Sequence, residues 1–140
     1  MTISIDPRSD VPPSRQLVEA VLDAVARGAF LPGDRLPSVR GLAEEALVNP
    51  NTVGKAYREL EASGVVDGRN GSGVYVTEGA PARARAARGR ATLEALARAA
   101  QEAARAGHGL AEIEATVSAA LDAAARKATP VSAAGREVAT

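Results

Sequence analysis

Apolar positions in the first half of the chain recur three and four residues apart, which is the spacing of amphipathic helices. Ser14 follows two prolines and is expected to cap the first helix, and Gly28 is expected to end it. Asn49 before Pro50 predicts a new helix start, because Asn caps well and Pro suits the first helical position. The predicted helices cover residues 14–27, 38–46 and 50–63. The residues of the second helix expected to face the core are Val39, Leu42, Ala43 and Ala46.

The pattern then changes from helical spacing to short β-branched runs. Residues 65–66 and 74–77 have strand composition, and the glycine-rich run 67–73 between them predicts a hairpin. Ile3 and Ile5 alternate with polar residues and suggest one more short strand. The order of helix, short helix, sharp turn, longer helix and hairpin is that of a winged helix-turn-helix.

The second half of the chain is dominated by alanine and predicts two further helices. Gly107, His108 and Gly109 interrupt the helical pattern, so helices at 91–106 and 110–127 are expected to form an antiparallel hairpin. The predicted fold class is therefore mainly α with a small β-wing. The predicted domains are a winged helix-turn-helix at 1–79, a basic linker at 80–90, a helical hairpin at 91–128 and a flexible tail at 129–140.

Two alanine-rich helices bury little apolar surface by themselves, so the second unit is expected to need a partner. Its larger apolar residues follow the three-and-four spacing of a helix seam. A second copy of the same hairpin would complete a four-helix core, and we therefore expect a homodimer. The residues predicted to form this dimerisation seam are Leu93, Leu96, Leu110, Ile113, Val117 and Leu121.

Composition narrows the classes of function. The chain has no Cys, one His, no signal-peptide pattern at its start and no apolar run long enough to span a membrane. We therefore expect a cytoplasmic protein without a metal site or a nucleophile–base pair, and not an enzyme. The net charge is zero, but residues 1–80 carry eight basic and eleven acidic side chains, a balance of −3. Any nucleic-acid interpretation must therefore depend on where the basic residues are placed.

Polar and basic residues are concentrated near the starts of the second and third helices. Asn51 and Thr52 are compact polar groups at a helix N-terminus, where a recognition helix meets base edges. Asn49 is interpreted first as a helix cap, and a capping or solvated role is the alternative for the other residues. The candidate DNA contacts in this part of the chain are Arg35, Ser38, Arg40, Asn49, Asn51, Thr52, Lys55 and Arg58.

The tip of the predicted hairpin is a further candidate contact. Its glycines let the backbone approach a phosphate and Arg69 can reach a minor groove, whereas a plain tight turn is the alternative. A nucleotide-type phosphate loop would need a helix after it, but a strand follows. The candidate contacts of the tip are Arg69, Gly71, Ser72 and Gly73. The linker arginines, Arg83, Arg85, Arg88 and Arg90, either add phosphate contacts or only keep the linker soluble.

Three motifs together resemble the GntR family of bacterial transcription regulators. They are FLPGDRLPSVR at 30–40, VNPNTV at 48–53 followed by KAYRELE at 55–61, and GSGVYV at 71–76. The short two-helix C-terminal part resembles the YtrA-like subfamily, which implies dimerisation through it. The DNA contacts implied by the resemblance are Ser38, Arg40, Asn51, Thr52, Lys55 and the wing at 71–73. Gly54 departs from the family, which often has a basic residue there, and Arg15 stands where a Tyr is common.

The resemblance implies a sequence-specific dimeric repressor that binds a pseudo-palindromic operator of a nearby operon, for example a transporter operon. A hypothesis from another class is a winged-helix protein-interaction module that does not read DNA, and the acidic balance of residues 1–80 supports it. No cofactor is expected. A small-molecule effector at the dimer interface stays open, because the C-terminal unit is too small for a large ligand cavity.

Overall fold

The computed structural model describes residues 3–127, which form five helices and one two-stranded antiparallel sheet. The elements are α1 (Pro13–Ala26), α2 (Val39–Ala46), α3 (Pro50–Ala62), β1 (Val66–Arg69), β2 (Gly73–Val76), α4 (Ala80–Arg105) and α5 (Leu110–Lys127). The predicted fold class is thereby confirmed. The chain divides into two compact units, the first extending to Arg88 and the second beginning at Gly89. The predicted tail at 129–140 lies outside the described residues.

The start of α1 differs from the prediction. Pro12 rather than Ser14 precedes the helix, and no side chain caps it. Pro13 occupies the first turn, where its missing N–H has no helical partner to lose and its fixed φ suits the helix. Ser14 is therefore not the cap but a buried residue of the first turn. Gly28, with a φ of +82°, follows the end of the helix as predicted.

Ser38 caps α2, because its hydroxyl oxygen accepts a hydrogen bond of 3.0 Å from the backbone N–H of Gly41. The residues of α2 that are buried are Leu42, Ala43 and Ala46. Val39 was also predicted to face the core, but it is 37% exposed. It is the first residue of α2 and lies at the end of the buried stripe, so helical spacing alone overestimated its burial.

A tight turn joins α2 to α3. Leu47 adopts the left-handed conformation, with φ 57° and ψ 48°, and its side chain is 90% exposed. This conformation costs a non-glycine residue about 1–2 kcal/mol, so the packing of the two helices must hold it. Asn49 then caps α3 by accepting a hydrogen bond of 2.8 Å from the backbone N–H of Asn51. The predicted start of α3 is thereby confirmed.

The three first helices and the hairpin share one aliphatic core. Its largest fully buried side chains are Leu17, Leu42, Leu60, Val21, Val25, Val53, Val65 and Val66. Ile3 is also buried, and its backbone N–H donates to Glu45 Oε1 at 3.4 Å. Ile3 and Ile5 form no strand, so the predicted N-terminal strand is wrong. Their apolar side chains pack against the core without backbone pairing.

The predicted hairpin is confirmed, but its turn is shorter than predicted. Val66 pairs with Val76 and Arg69 pairs with Gly73, which leaves residues 70–72 as the tip. The segment before α2 lies along the other edge of β2 through an isolated antiparallel bridge between Arg35 and Tyr75. The sequence pattern did not predict that the segment before α2 would pair with the wing.

Residues 80–90 form the start of α4 and not a separate linker, which corrects the prediction. Ala80 and Ala84 are fully buried in the core of the first unit. Pro81 lies in the first turn of α4, where proline is tolerated, and Gly89 is accommodated within the helix. The first unit therefore includes the first turns of α4, and its boundary lies at Arg88 and not at residue 79.

In the described residues, the second unit consists of the rest of α4, which ends at Arg105, and of α5, whose bounds match the prediction. Gly107, with a φ of +98°, lies in the short connection between the two helices. Within residues 89–126 no side chain is buried. Ile113 and Val117 of the predicted seam are half-buried. The four leucines of the seam, Leu93, Leu96, Leu110 and Leu121, are 48–73% exposed.

Candidate nucleic-acid interface

The exposed side of α3 carries the central candidate contacts. Asn51 is exposed and Thr52 half-buried in the first turn, where backbone N–H groups have no helical partners. Lys55 follows on the exposed side of the next turn. Asn49 is engaged as the cap, in agreement with its first interpretation. The start of α3 therefore presents polar hydrogen-bonding groups, one cation and a helix N-terminus together.

Arg58 lies closer to the start of α3 than its number suggests. Its Nη1 is 3.3 Å from the place where a Cβ on Gly54 would lie. Helical side chains lean towards the N-terminus, and the missing side chain of Gly54 leaves room for this guanidinium. Arg58 thus brings a positive charge to the position where the family often has a basic residue.

One buried tyrosine of α3 forms a hydrogen bond with the segment that leads into α2. The hydroxyl of Tyr57, in α3, donates a hydrogen bond of 2.7 Å to the carbonyl oxygen of Pro37. Burial, with a smaller contribution from Glu45, raises the pKa of Tyr57 well above the ordinary value of 10.0, so the phenol stays protonated. This bond fixes the segment that leads into Ser38 and Arg40. Tyr57 was predicted only as a core residue.

Ser38 and Arg40 differ in what they offer a ligand. The hydroxyl of Ser38 is engaged with the N–H of Gly41, but the residue is exposed. Arg40 is exposed in the first turn of α2. The structure therefore supports a capping role for Ser38, and the predicted DNA contact by either residue stays a prediction.

The wing carries two arginines beside one aromatic ring. The guanidinium carbon of Arg69 lies 4.4 Å from the centroid of the Tyr75 ring. The hydroxyls of Tyr75 and Ser72 are hydrogen-bonded at 2.6 Å. Arg35 lies beside Gly73, with its Nε 2.6 Å from the place of a Cβ there. Tyr75 was not among the predicted site residues, because its neighbours are visible only once the strands pair.

Salt bridges separate the basic residues into two groups. In the described part of the chain, none of the salt bridges involves the predicted contacts Arg35, Arg40, Lys55, Arg58 and Arg69. The carboxylates of Glu19, Asp23 and Glu59 are instead paired with Arg15 and Arg88. The acidic balance of the sequence is therefore partly compensated on the side formed by α1 and α4.

The extent of the first unit also changes the charge balance. Because this unit continues to Arg88, it gains three arginines and no acid, and carries eleven basic and eleven acidic side chains. The balance of −3 calculated for residues 1–80 thus becomes zero. Of the arginines predicted as a basic linker, Arg88 contacts Asp23 and Glu19, and Arg90 contacts Glu94. Because both guanidiniums are paired with carboxylates, these two arginines do not support the predicted phosphate contacts of the linker.

Within residues 3–127 no group of three or more His, Asp or Glu side chains has the arrangement of a metal site. None of the described helices is both long enough and apolar enough to cross a membrane.

The chain was compared with known proteins. The family model described as bacterial regulatory proteins, gntR family, matches residues 13–76, which extend from α1 to the end of β2. The structure of YtrA from Sulfolobus acidocaldarius, a GntR-family transcription factor, is 35% identical with a TM-score of 0.52, and covers 55% of this chain and 81% of that one. The chain belongs to the GntR family.

Further GntR relatives extend this result. The HTH-type transcriptional repressor YtrA of Bacillus subtilis (strain 168) is 46% identical over 78 residues, which are 56% of this chain and 60% of that protein. A GntR family transcriptional regulator from Listeria monocytogenes is 29% identical with a TM-score of 0.64, and covers 81% of this chain and 97% of that one. These similarities support a place in the YtrA-like subfamily. They also agree with the expectation that the chain is not an enzyme.

Proposed function

We propose that this GntR protein is a sequence-specific, dimeric transcriptional repressor that binds a pseudo-palindromic operator. The observation that carries the proposal is the exposed start of α3, where Asn51, Thr52 and Lys55 lie on a helix whose other side packs in the core. The proposal concerns the whole protein, and the chain spans about 60% of the B. subtilis relative's length.

The first step of the proposed mechanism is recognition by α3. A helix of this size fits the major groove, where Asn pairs well with adenine edges and Thr contacts either a base edge or a thymine methyl group. Lys55 and Arg58 would neutralise phosphates along the groove. Because Tyr57 ties α3 to Pro37, Arg40 would reach the DNA backbone in a fixed position relative to the recognition helix.

The second step is pairing of two protomers. Four leucines on α4 and α5 are 48–73% exposed, and a second copy of the chain could bury their apolar surface. A second copy that covers them would place two recognition helices on successive half-sites. Repression of a nearby operon by occlusion of its promoter follows from that arrangement, and the cytoplasm is the compartment where such DNA lies. The proposal includes a small-molecule effector that would bind at the dimer interface.

The test is fluorescence anisotropy on DNA from upstream of the protein's own gene, with scrambled DNA as the control. We expect binding at least about 10³-fold tighter to one site, with a steep dependence on salt. Asn51→Ala should lose about 1–3 kcal/mol of binding and relax base preference. Arg40→Ala should weaken binding to all sequences and reduce the salt slope by about 1.

Arg27→Ala is the control for the loss of one positive charge. Arg27 is an exposed arginine directly after the last residue of α1 and is not among the candidate DNA contacts. It should leave the affinity and the salt slope unchanged. Equal and weak binding of the wild type to both DNAs would contradict the proposal and favour a protein-interaction module. The first unit is neutral and not acidic, so its net charge does not favour a protein-interaction module over a DNA-binding domain.

A further inference from the structure

The exposed face of the wing has Tyr75 at its centre. Side chains alternate across strands, so Arg69 and its partner Gly73 share a face with Tyr75 on β1 and β2. The isolated bridge places Arg35 directly opposite Tyr75 on the other side. Asp67, which pairs with Tyr75, lies on this face as well, and Arg69 follows it two positions along β1. Two arginines from different parts of the chain and one carboxylate therefore surround the same tyrosine.

Tyr75 makes two contacts that fix the tip. Its ring lies under the guanidinium of Arg69 at 4.4 Å, which is cation–π distance. Its hydroxyl is hydrogen-bonded at 2.6 Å to the hydroxyl of Ser72, the last residue of the tip. Since Arg69 and Ser72 are also joined by a backbone hydrogen bond of 3.0 Å, the three residues form one closed group.

Gly73 provides the place for the second arginine. A Cβ at this position would lie 2.6 Å from Arg35 Nε and 3.3 Å from its Cζ, so any side chain would displace the guanidinium. Gly73 also has a φ of +131°, which other residues rarely adopt. The absence of a side chain thus lets Arg35 lie against the backbone of β2, at the residue that pairs with Arg69.

We propose that Tyr75 is a positioning residue that holds the guanidinium of Arg69 for insertion into a narrow, A·T-rich minor groove beside the half-site. This inference rests on the proposed DNA-binding function and goes beyond it by naming the residue that orders the arginine of the wing. A guanidinium already ordered on an aromatic ring loses less freedom on binding. The strong negative potential of a narrow minor groove favours such a group over a single phosphate.

The first experiment compares operators that differ only in the flank next to the wing. The flanks are A·T, inosine·C and G·C, and anisotropy gives the affinity for each. Inosine lacks the amino group that distinguishes G·C in the minor groove, so a minor-groove reader treats inosine·C like A·T. We expect the wild type to bind the A·T and inosine·C operators about tenfold more tightly than the G·C operator.

The second experiment assigns the positioning role by a double-mutant cycle. Arg69→Ala should remove most of the flank preference, and Tyr75→Leu should reduce it about two- to fivefold, the value of an exposed cation–π contact. The double variant should be no worse than Arg69→Ala, because Tyr75 acts through Arg69. Tyr75→Phe keeps the ring and should retain most of the preference.

The controls separate this inference from folding and from the function on which it rests. Lys55→Ala should weaken binding equally for all three flanks, and thermal unfolding shows whether each variant is folded. If the wild type binds its operator specifically but shows no flank preference, or groups inosine·C with G·C, the minor-groove inference is wrong and the wing contacts phosphates or the major groove. Additive losses for Tyr75→Leu and Arg69→Ala would exclude the positioning role. Failure of the wild type to distinguish operator from scrambled DNA would instead overturn the proposed function.

Discussion

The two units of this chain differ in how much of their apolar side-chain surface is buried. All the buried hydrophobic side chains of residues 3–127 lie between Ile3 and Ala84, in the first unit. The second unit has longer helices, but its leucines remain 48–73% exposed. The difference follows from composition, because the first unit has leucines and valines from several elements around one centre, whereas the second has mainly alanine.

The comparison teaches which unit can be stable by itself. A core shared by three helices and a hairpin gives the first unit the means to fold without a partner. Two alanine-rich helices with exposed leucines gain their stability from whatever covers those leucines. Stability of the second unit should therefore depend on protein concentration, and stability of the first should not.

The largest expected effect comes from removing the same leucine atoms in each unit. Leu17→Ala, at a fully buried position, should lower the free energy of unfolding by about 2–5 kcal/mol. Leu110→Ala, at a position 73% exposed, should leave the unfolding of the first unit unchanged but raise the dissociation constant of the proposed dimer. Urea unfolding followed by circular dichroism and sedimentation equilibrium measure the two effects. Similar losses of unfolding free energy in both variants would remove the basis of the comparison.

Tyr57 sharpens the comparison through pH, since it is the one tyrosine of the core. Its raised pKa means that the folded state keeps the proton while the unfolded chain loses it above the ordinary value of 10.0. Stability from this group is therefore complete below pH 10 and should fall above it by up to about 1.4 kcal/mol per pH unit. Tyr57→Phe should cost about 1 kcal/mol at pH 7 through the lost bond to Pro37 and abolish this alkaline fall.

The control for Tyr57→Phe is Tyr75→Phe, which changes the tyrosine of the wing. It should leave the alkaline fall of stability in place, as measured by urea midpoints between pH 8 and pH 11. An unchanged pH profile in Tyr57→Phe would mean that another group causes the fall.

Replacing Arg88 shows how much its ion pairs with α1 stabilise the attachment of α4 to the first unit. Its Nε lies 2.7 Å from Asp23 Oδ1 and its Nη1 lies 3.6 Å from Glu19 Oε1. The Asp23 carboxylate is partly solvated, so Arg88→Ala should cost only about 1 kcal/mol, and less in high salt. Arg98→Ala, on the exposed surface of α4 in the second unit, should cost less than about 0.5 kcal/mol. Equal effects in thermal unfolding would argue that the ion pairs of Arg88 add nothing.

The smallest expected effect, and the only gain, is at Gly54. Gly54→Ala should stabilise α3 by about 0.5–1 kcal/mol, because alanine is the better helix former and the guanidinium of Arg58 can move aside. Gly64→Ala is the contrasting variant, since its φ of +80° should make alanine destabilising. Urea midpoints measure both changes. A loss of stability in Gly54→Ala would show that Arg58 is held more tightly than an exposed side chain should be.

The elements that the sequence predicted correctly are those with local signals. Asn49 and Pro50 fix the start of α3, and glycines mark the C-terminal end of α1 and the connection before α5. The start of α4 was missed because Pro81 and Gly89 look like helix breakers. The alanines and arginines of this segment are good helix formers, and the burial of Ala80 and Ala84 in the first core adds tertiary packing that the sequence pattern did not reveal.

The candidate site was predictable to the same degree. The exposed residues of α3 and the tip of the hairpin follow from pattern and turn chemistry. The residues that orient them do not, because Tyr57 reaches a carbonyl twenty positions away and Arg35 meets a strand that begins almost forty positions later. Arg88 meets Asp23 across 65 positions, and such pairs depend on the folded chain alone.

The division of the two tyrosines has an optical consequence. With no tryptophan in the chain, near-ultraviolet absorption and emission come almost entirely from Tyr57 in the core and Tyr75 on the wing. Removing one ring by Tyr75→Phe leaves a spectrum that reports unfolding, and removing the other by Tyr57→Phe leaves one that reports events at the wing. The protein thus carries two built-in chromophores, one for each question, and needs no attached dye to separate them.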